Sequence, residues 1–133
     1  MKAFHIKIVT PDGCEFDGEV ESLLVRTKDG DVEILAGHAD YFASVGTGRV
    51  RIIEGGKAKF ASVNGGFLSV SGNDVTLCSI TFEFAEDIDV KRAEAAREKA
   101  EAAIKAASDD RDERIAKAKL SRAASRINVA NMK

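Results

Sequence analysis

The stretch from Ala85 to Ala107, AEDIDVKRAEAAREKAEAAIKAA, marks the point at which the sequence changes from one pattern to another. Glycine and proline do not occur after Gly72, and alanine, lysine, glutamate and arginine dominate the rest of the chain. These four residue types have high helix propensity, so the stretch predicts a long helix. Asp89 is placed to cap this helix, with Ile88 and Ala93 at the two positions of a hydrophobic staple.

A second helix is predicted after Ser108-Asp109-Asp110, a sequence that interrupts the first helix and offers capping side chains. Apolar residues recur in both helices at steps of three and four. They are Val90, Ala93, Ala96, Ala100, Ala103 and Ala107 in the first helix, and Ala116, Leu120, Ala123, Ile127 and Ala130 in the second. The short link predicts an antiparallel hairpin. Because alanine buries little area, we expect the hairpin to dock weakly and to change position when a ligand or partner favours another state.

The residues before Ala85 read instead as short strands between turns. Predicted turns are Thr10-Pro11-Asp12-Gly13, Asp29-Gly30, Gly55-Gly56, Asn64-Gly65-Gly66 (a hairpin signal) and Ser71-Gly72-Asn73-Asp74. Predicted strands include the alternating residues 4–9, a run from Val20 to Thr27, and residues 49–52, 57–63, 67–70 and 75–80. Regularly spaced turns between alternating strands predict a β-sandwich or barrel. The expected fold class is α+β, mainly β, with a sandwich in residues 1–84 and a helical hairpin in residues 85–133.

Composition and charge limit the possible functions. At 133 residues the chain has room for one ordinary domain or for one small domain with an appendage, and no apolar run is long enough to cross a bilayer. The first residues lack the apolar core of a secretion signal, so we expect a protein that stays in the cytoplasm or reaches a membrane face through partners. Two cysteines, Cys14 and Cys78, and two histidines predict free thiols and no metal site. From Arg114 to Lys133 there are six basic residues and no acidic one, which predicts a helix that docks on an acidic protein surface.

Four segments resemble the epsilon subunits of bacterial F-type ATP synthases. They are residues 9–13 together with 16–21, Gly30–Ala39 (similar to the family's signature loop), Ser62–Leu68 (similar to its paired-glycine hairpin) and Arg122–Ala130 (similar to its last helix). The resemblance covers essentially the whole chain. It departs from the family at Glu33 and Ala36, where a glycine and a proline are usual, and Glu33 is expected to alter the charge that the loop presents.

The resemblance implies a non-catalytic rotor subunit on the cytoplasmic face of the bacterial cell membrane. The sandwich would bind the gamma subunit of the central stalk and rest on the c-ring, with Asp31 and His38 in the ring-facing loop. The helices would reach the alpha/beta catalytic head and inhibit ATP hydrolysis. By spacing alone, Asp31 is an ordinary turn carboxylate and His38 a surface imidazole, and that alternative stays open.

The segment from Ile88 to Ala93 resembles the Ile/Leu-Asp-x-x-Arg-Ala motif by which some members of the family bind ATP without hydrolysing it. The resemblance implies an ATP site that acts in regulation. It is formed by Glu83, Ile88, Asp89, Arg92, Ala93, Lys99 (where the family has Arg), Arg122 and Arg126. No GxxxxGK[ST] phosphate loop is present, so we expect no catalytic residues. The alternative is that Asp89 only caps a helix and the arginines only form a basic docking face.

Two unrelated functions compete with this interpretation. A small enzyme is disfavoured because no nucleophile and base occur in a supporting sequence context. A module that binds nucleic acid or another partner through its basic last helix is also possible, but no aromatic residue follows Phe84 to stack on bases. Co-purification with a gamma-type protein or with nucleic acid would separate these readings.

Overall fold

Nine β-strands form in residues 2–132, the part of the chain that the computed structural model describes. Met1 and Lys133, the ends of the two predicted units, lie outside the described residues. The strands are β1 (Phe4–Thr10), β2 (Gly13–Val20), β3 (Ser22–Thr27), β4 (Gly30–Leu35), β5 (Tyr41–Glu54), β6 (Lys57–Asn64), β7 (Phe67–Ser71), β8 (Asp74–Cys78) and β9 (Thr81–Phe84). A 3₁₀ turn at Ala85–Asp87 leads to helices α1 (Val90–Ala106) and α2 (Asp110–Ala130).

Two sheets share the long strand β5. In the first sheet the order is β2-β1-β8-β7, and Tyr41–Ser44 of β5 pair with β7. In the second sheet the order is β4-β3-β5-β6-β9, and Thr47–Glu54 of β5 pair with β6. Only β1 and β8 pair in parallel among the described strands. The predicted fold class, a mainly-β sandwich followed by two helices, is confirmed.

The core lies between the inner faces of the two sheets. Phe4, Ile6 and Ile8 alternate along β1 and are all buried, as their spacing predicts. They pack in one cluster with apolar residues of the other strands, including Leu23, Val25, Ile34, Val50, Ile52, Val63, Leu68, Leu77 and Phe82. This cluster gives the sandwich a core of its own, independent of the helices.

Three segments near the start of the chain differ from the prediction. The run from Val20 to Thr27 is not one strand, because Glu21 separates β2 from β3 and the two strands pair with different partners. Gly13–Val20 forms an edge strand held by backbone pairing to β1, although few of its side chains are buried. The expected loop at Gly30–Ala39 is a strand as far as Leu35.

The prediction of a hairpin at Asn64-Gly65-Gly66 is wrong. This segment passes from one sheet to the other, since β6 pairs with β5 and β9 whereas β7 pairs with β5 and β8. Gly66 has a φ of 99°, and a Cβ there would lie 1.9 Å from the carbonyl oxygen of Cys78. The two glycines therefore allow a close crossing of two backbones rather than a tight turn.

Both predicted helix caps are confirmed. The Asp89 carboxylate accepts from the Arg92 backbone N–H at 3.1 Å, and the Asp109 carboxylate accepts from that of Asp112 at 2.8 Å. The three-residue link between the helices makes them antiparallel, and α2 lies against β5, β6 and the 3₁₀ turn. The predicted hairpin thus forms and is docked on the second sheet.

The apolar stripe of α1 was predicted only in part. Ala96 and Ala103 are exposed, because the true helical period rotates the contact face by one residue at each of these positions. The buried and half-buried positions of α1 are Val90, Ala93, Arg97, Ala100 and Ile104. In α2 the buried positions include Val129, which the predicted stripe omitted.

One small apolar cluster connects the end of the hairpin to the sandwich. This anchor cluster consists of Ala85, Ile88, Val129 and Ala130, with Phe60 and Val90 packed against it. Phe60 belongs to β6 and Val129 to the last turn of α2, so the cluster joins the two parts. It contains four buried residues, and the strength with which the hairpin docks stays a prediction.

Candidate functional site

A cavity of about 480 Å³ lies where the docked helices meet the second sheet. Its size falls in the range of small-molecule sites. Three parts of the chain line it. They are the β1–β2 turn region (Thr10, Asp12, Glu15), the sheet and the segment before β9 (Thr47, Ser62, Val63, Asn64, Ile80, Thr81, Phe82, Glu83), and the helices (Arg92, Arg122, Arg126).

The sheet forms the floor of the cavity because β6 alternates its side chains between two faces. Ala61 and Val63 contribute to the sandwich core, so Ser62 between them faces the helices. Ser62 is directly opposite Glu83 in the pairing of β6 with β9. Two polar residues of adjacent strands are thereby placed side by side beneath α2.

Three arginines from the hairpin form the basic wall of the cavity. Arg92 lies in the first turn of α1, while Arg122 and Arg126 are one turn apart on α2. The Arg126 Nε and Nη2 atoms both donate to Glu83 Oε1, at 3.0 and 2.8 Å. Arg92 and Arg122 form no ion pair with any residue in the range 2–132. Two guanidinium groups are therefore free to bind an anion, and the third is held in place by the sandwich.

The β1–β2 turn forms a separate, acidic wall. Asp12 and Glu15 line the cavity on this side. The Thr10 hydroxyl donates to Glu15 Oε1 at 2.9 Å and accepts from the Asp12 backbone N–H at 3.2 Å, which orders the turn. From the sequence, Thr10 and Asp12 were predicted only as part of a turn, and Glu15 was assigned to no element. No sequence signal links the turn to helices that begin nearly eighty residues later.

The structure brings four of the eight predicted ATP-site residues together: Glu83, Arg92, Arg122 and Arg126 all line the cavity. Ile88 lies instead in the anchor cluster, and Ala93 is buried on the inner face of α1. Asp89 uses its carboxylate as the cap of α1. Lys99 is exposed, about two turns further along α1, and does not line the cavity. Nucleotide binding by these residues stays a prediction.

Two family models match consecutive parts of the chain. The ATP synthase delta/epsilon chain β-sandwich domain matches residues 3–85, and the delta/epsilon chain long α-helix domain matches residues 86–131. The chain belongs to the ATP synthase delta/epsilon family. Its similar relatives include the ATP synthase epsilon chains of Bacillus velezensis, 42% identical over 98% of both chains, and of Levilactobacillus brevis, 44% identical over 98% of this chain and 96% of the relative. The predicted resemblance to epsilon subunits is confirmed.

Solved structures support the same fold for this delta/epsilon family chain. A chain of the Euglena gracilis mitochondrial ATP synthase superposes with a TM-score of 0.84 at 22% identity, covering 98% of this chain and 82% of the other. A chain of the Tetrahymena thermophila mitochondrial ATP synthase central stalk and c-ring gives 0.61 at 13% identity, covering 95% of each. No helix within residues 2–132 is long and apolar enough to cross a membrane.

The two predicted ring-facing residues of this family member lie apart. Asp31 is near the start of β4 and His38 follows its end, so the four strand steps from residue 31 to residue 35 alone span roughly 13 Å. Asp31 accepts from Arg26 Nε at 2.8 Å and lies 3.7 Å from Arg49. The His38 ring lies edge-on to Tyr41.

Glu33, one of the two departures from the family loop, has a partner within the chain. Its carboxylate accepts from Arg51 Nη2 of β5 at 2.6 Å. Strand β3 lies between β4 and β5, and its residue Leu24 pairs with both Glu33 and Arg51. The ion pair therefore spans β3. The expected extra charge at Glu33 is thus balanced within the second sheet.

Proposed function

We propose that this chain is the non-catalytic epsilon subunit of the rotor of a bacterial F-type ATP synthase, with an ATP-responsive helical hairpin. The bacterial relatives of matching length are named epsilon chains, and the structural neighbours come from ATP synthases, one of them from a central stalk and c-ring. In this proposal the sandwich binds the gamma subunit and the c-ring at the cytoplasmic face of the membrane. The chain reaches the membrane only through these partners.

The observation that carries the ATP proposal is the arrangement of arginines from two helices around one cavity. Arg92 belongs to α1 and Arg122 to α2, so only a closed hairpin places both at the same site. Without an anion, the like charges of these side chains oppose closure. A triphosphate would relieve this repulsion through charge-assisted hydrogen bonds. ATP would therefore favour the docked hairpin over the undocked one.

In this proposal the free energy that a bound ligand supplies is compared with the free energy that holds the hairpin on the sandwich. A ligand at one hundred times its dissociation constant stabilises the state that it binds by about 2.7 kcal/mol. The anchor cluster buries only four small or medium apolar residues, and the Glu83–Arg126 pair is about a third exposed. In this proposal the free energy of docking is of the same order as that of ligand binding, so changes in ATP concentration would shift the population of the docked state.

Calorimetric titration of the full chain with ATP tests this proposal. We expect Arg92→Ala and Arg122→Ala each to weaken ATP binding by about tenfold or more, because each removes a charged donor to phosphate. Arg114→Ala is the matched control, since Arg114 is an exposed arginine of α2 that does not line the cavity. Absence of ATP binding by the wild-type chain, or equal effects of Arg114→Ala and Arg122→Ala, would refute the ATP proposal.

At low ATP, in this proposal, the hairpin leaves the sandwich and extends beside gamma toward the catalytic head. The basic stretch that begins at Arg114 would then meet an acidic surface of a catalytic subunit and block rotation in the direction of hydrolysis. Reversing the charge of Arg122 and Arg126 should release this inhibition. The measurement is ATP hydrolysis by the assembled complex at low ATP, and an unchanged rate would contradict the inhibitory role.

Asp31 and His38 remain the proposed contacts with the c-ring. The proposed stalk binding is tested by co-purification of the chain with a gamma-type subunit at moderate salt. Retention on nucleic acid, with no binding of gamma, would favour the alternative of a basic-helix binding module.

A further inference from the structure

A row of side chains crosses the outer face of the second sheet, the face on which the hairpin docks. Leu24 pairs with Glu33 of β4 and with Arg51 of β5, and Arg51 pairs with Phe60 of β6. Residues that pair directly in antiparallel strands project from the same face of a sheet. Phe60 packs against the anchor cluster, so this row leads from β4 to the contact between the sandwich and the hairpin.

The central member of the row, Arg51, is a partly buried charge. Its side chain is 29% exposed, and its Nη2 atom donates to Glu33 Oε2 at 2.6 Å. Its Nε atom is buried and has no hydrogen-bond partner within residues 2–132. Helix α2 packs over β5 and β6, the strands of Arg51 and Phe60. A guanidinium group that loses water in this way is costly unless a carboxylate balances its charge, so Glu33 offsets the burial of Arg51.

The charge of α2 gives Glu33 a second effect on docking. From Arg114 to its end the sequence contains no acidic residue, and Arg126 reaches its carboxylate partner, Glu83, only on the sheet. Without Glu33, the cation of Arg51 would face a basic helix with no nearby compensation. This repulsion acts in the docked state and is lost to solvent screening once the hairpin leaves. Both effects make the Glu33–Arg51 pair favour the docked hairpin.

We propose that the ion pair of Glu33 with Arg51 couples strand β4 to the docking of the helical hairpin. Glu33 is a positioning residue that acts through Arg51, and withdrawal of its carboxylate loosens the hairpin. By the proposed function, β4 also carries Asp31, a contact with the c-ring. A cationic group of a partner that pairs with Glu33 would then release the hairpin. This last step rests on the proposed function, whereas the ion pair and its effect on docking belong to the chain alone.

Amide hydrogen exchange of the full chain, measured by mass spectrometry, tests the coupling. Glu33→Gln removes the carboxylate charge and keeps the size of the side chain, and Glu33→Gln/Arg51→Gln removes both charges. Glu54→Gln is the matched control, because Glu54 is 43% exposed, against 45% for Glu33, and also forms an ion pair within the second sheet, with Lys59 at 3.8 Å. In β5 it alternates to the same side as the core residue Ile52, away from the helices.

We expect the amides of α2 to exchange about fivefold faster in Glu33→Gln than in the wild-type chain, with β1 unchanged. This acceleration should decrease at high salt. The double variant should exchange more slowly in α2 than Glu33→Gln does, because it has no unbalanced cation beneath the helix. Glu54→Gln should stay within about twofold of the wild-type chain.

Three results would overturn the coupling. They are wild-type exchange of α2 in Glu33→Gln, an equal acceleration of β1, and a double variant that exchanges as fast as Glu33→Gln or faster, which would mean that Glu33 does not act through Arg51. The proposed function fails separately. If Glu33→Gln shows the expected exchange but the assembled complex needs no more ATP than before to relieve inhibition of hydrolysis, the coupling stands and the inhibitory role of the hairpin is contradicted.

Discussion

Substitution of Val129 by alanine tests how the hairpin is held on the sandwich. Val129 is 1% exposed and lies in the anchor cluster together with Ile88 and Ala130. The change removes two buried carbon atoms, each contributing about 0.8 kcal/mol on transfer from water, and leaves a small cavity. We expect a loss of about 2 kcal/mol from the docked state, which is about a 30-fold shift toward the undocked one. The core of the sandwich contains no residue of the anchor cluster.

Amide hydrogen exchange measured by mass spectrometry distinguishes the two parts of the chain. In proteins most helical stability comes from packing of an amphipathic face, so undocking should expose the amides of α1 and α2. In Val129→Ala we expect these amides to exchange about 30-fold faster, with β1 unchanged. Ile115→Ala is the matched control, because it removes a larger apolar group from the same helix at a position that is 45% exposed. Equal acceleration in β1 and in the helices would show a single cooperative unit and refute the reasoning.

Three further experiments test local features of the fold. A double-mutant cycle of Glu83→Gln and Arg126→Gln, measured by hydrogen exchange in α2, should give a coupling energy below about 1 kcal/mol, because the two side chains are 34% and 28% exposed. This coupling energy should fall at high salt, and a coupling that is insensitive to salt would contradict the prediction. Asp89→Ala should remove about 1 kcal/mol of helix stability, seen as faster amide hydrogen exchange in the first turn of α1. Asp89→Asn keeps the cap and serves as the control, so equal exchange in the two variants would argue against capping. Gly66→Ala should lower the free energy of unfolding, measured by chemical denaturation, by about 3 kcal/mol or more, because the added Cβ would overlap a backbone carbonyl. Gly72 also has a positive φ but lies beside open space, so Gly72→Ala should lower it by only about 1 kcal/mol. Similar losses in the two variants would show that φ alone sets the cost.

The errors of sequence interpretation have physical causes that can be named. The Asn64-Gly65-Gly66 segment carries the residues of a tight turn, but its glycines serve a crossing between sheets. Hairpin turns and close backbone crossings both need φ values that glycine reaches easily, so composition alone does not separate them. Strand β2 was missed because backbone pairing to β1 holds it and only Val20 of its side chains is buried. An edge strand of this kind leaves little periodicity to detect.

The candidate site was predictable on the helices and unpredictable on the sandwich. Arg122 and Arg126 are four residues apart, and helical geometry alone places them on one face. Glu83 came from the family resemblance, and its ion pair with Arg126 gives it a structural role as well. Asp12 and Glu15 carry no pattern that connects them to residues of α2, because contacts between distant parts of a chain are not encoded in local periodicity.

The amino-acid sequence by itself determined the two secondary-structure patterns of this protein, the change between them near Ala85, the two helix caps and the excess of positive charge in the last helix. These properties follow from local propensity and spacing, which act over a few residues. The tertiary structure alone decided which sheet each strand joins, where the hairpin docks, and that an acidic turn and three arginines share one cavity. The reason is that docking depends on a few apolar contacts such as Val129 with Ile88, and these bring together residues that have no relation along the chain.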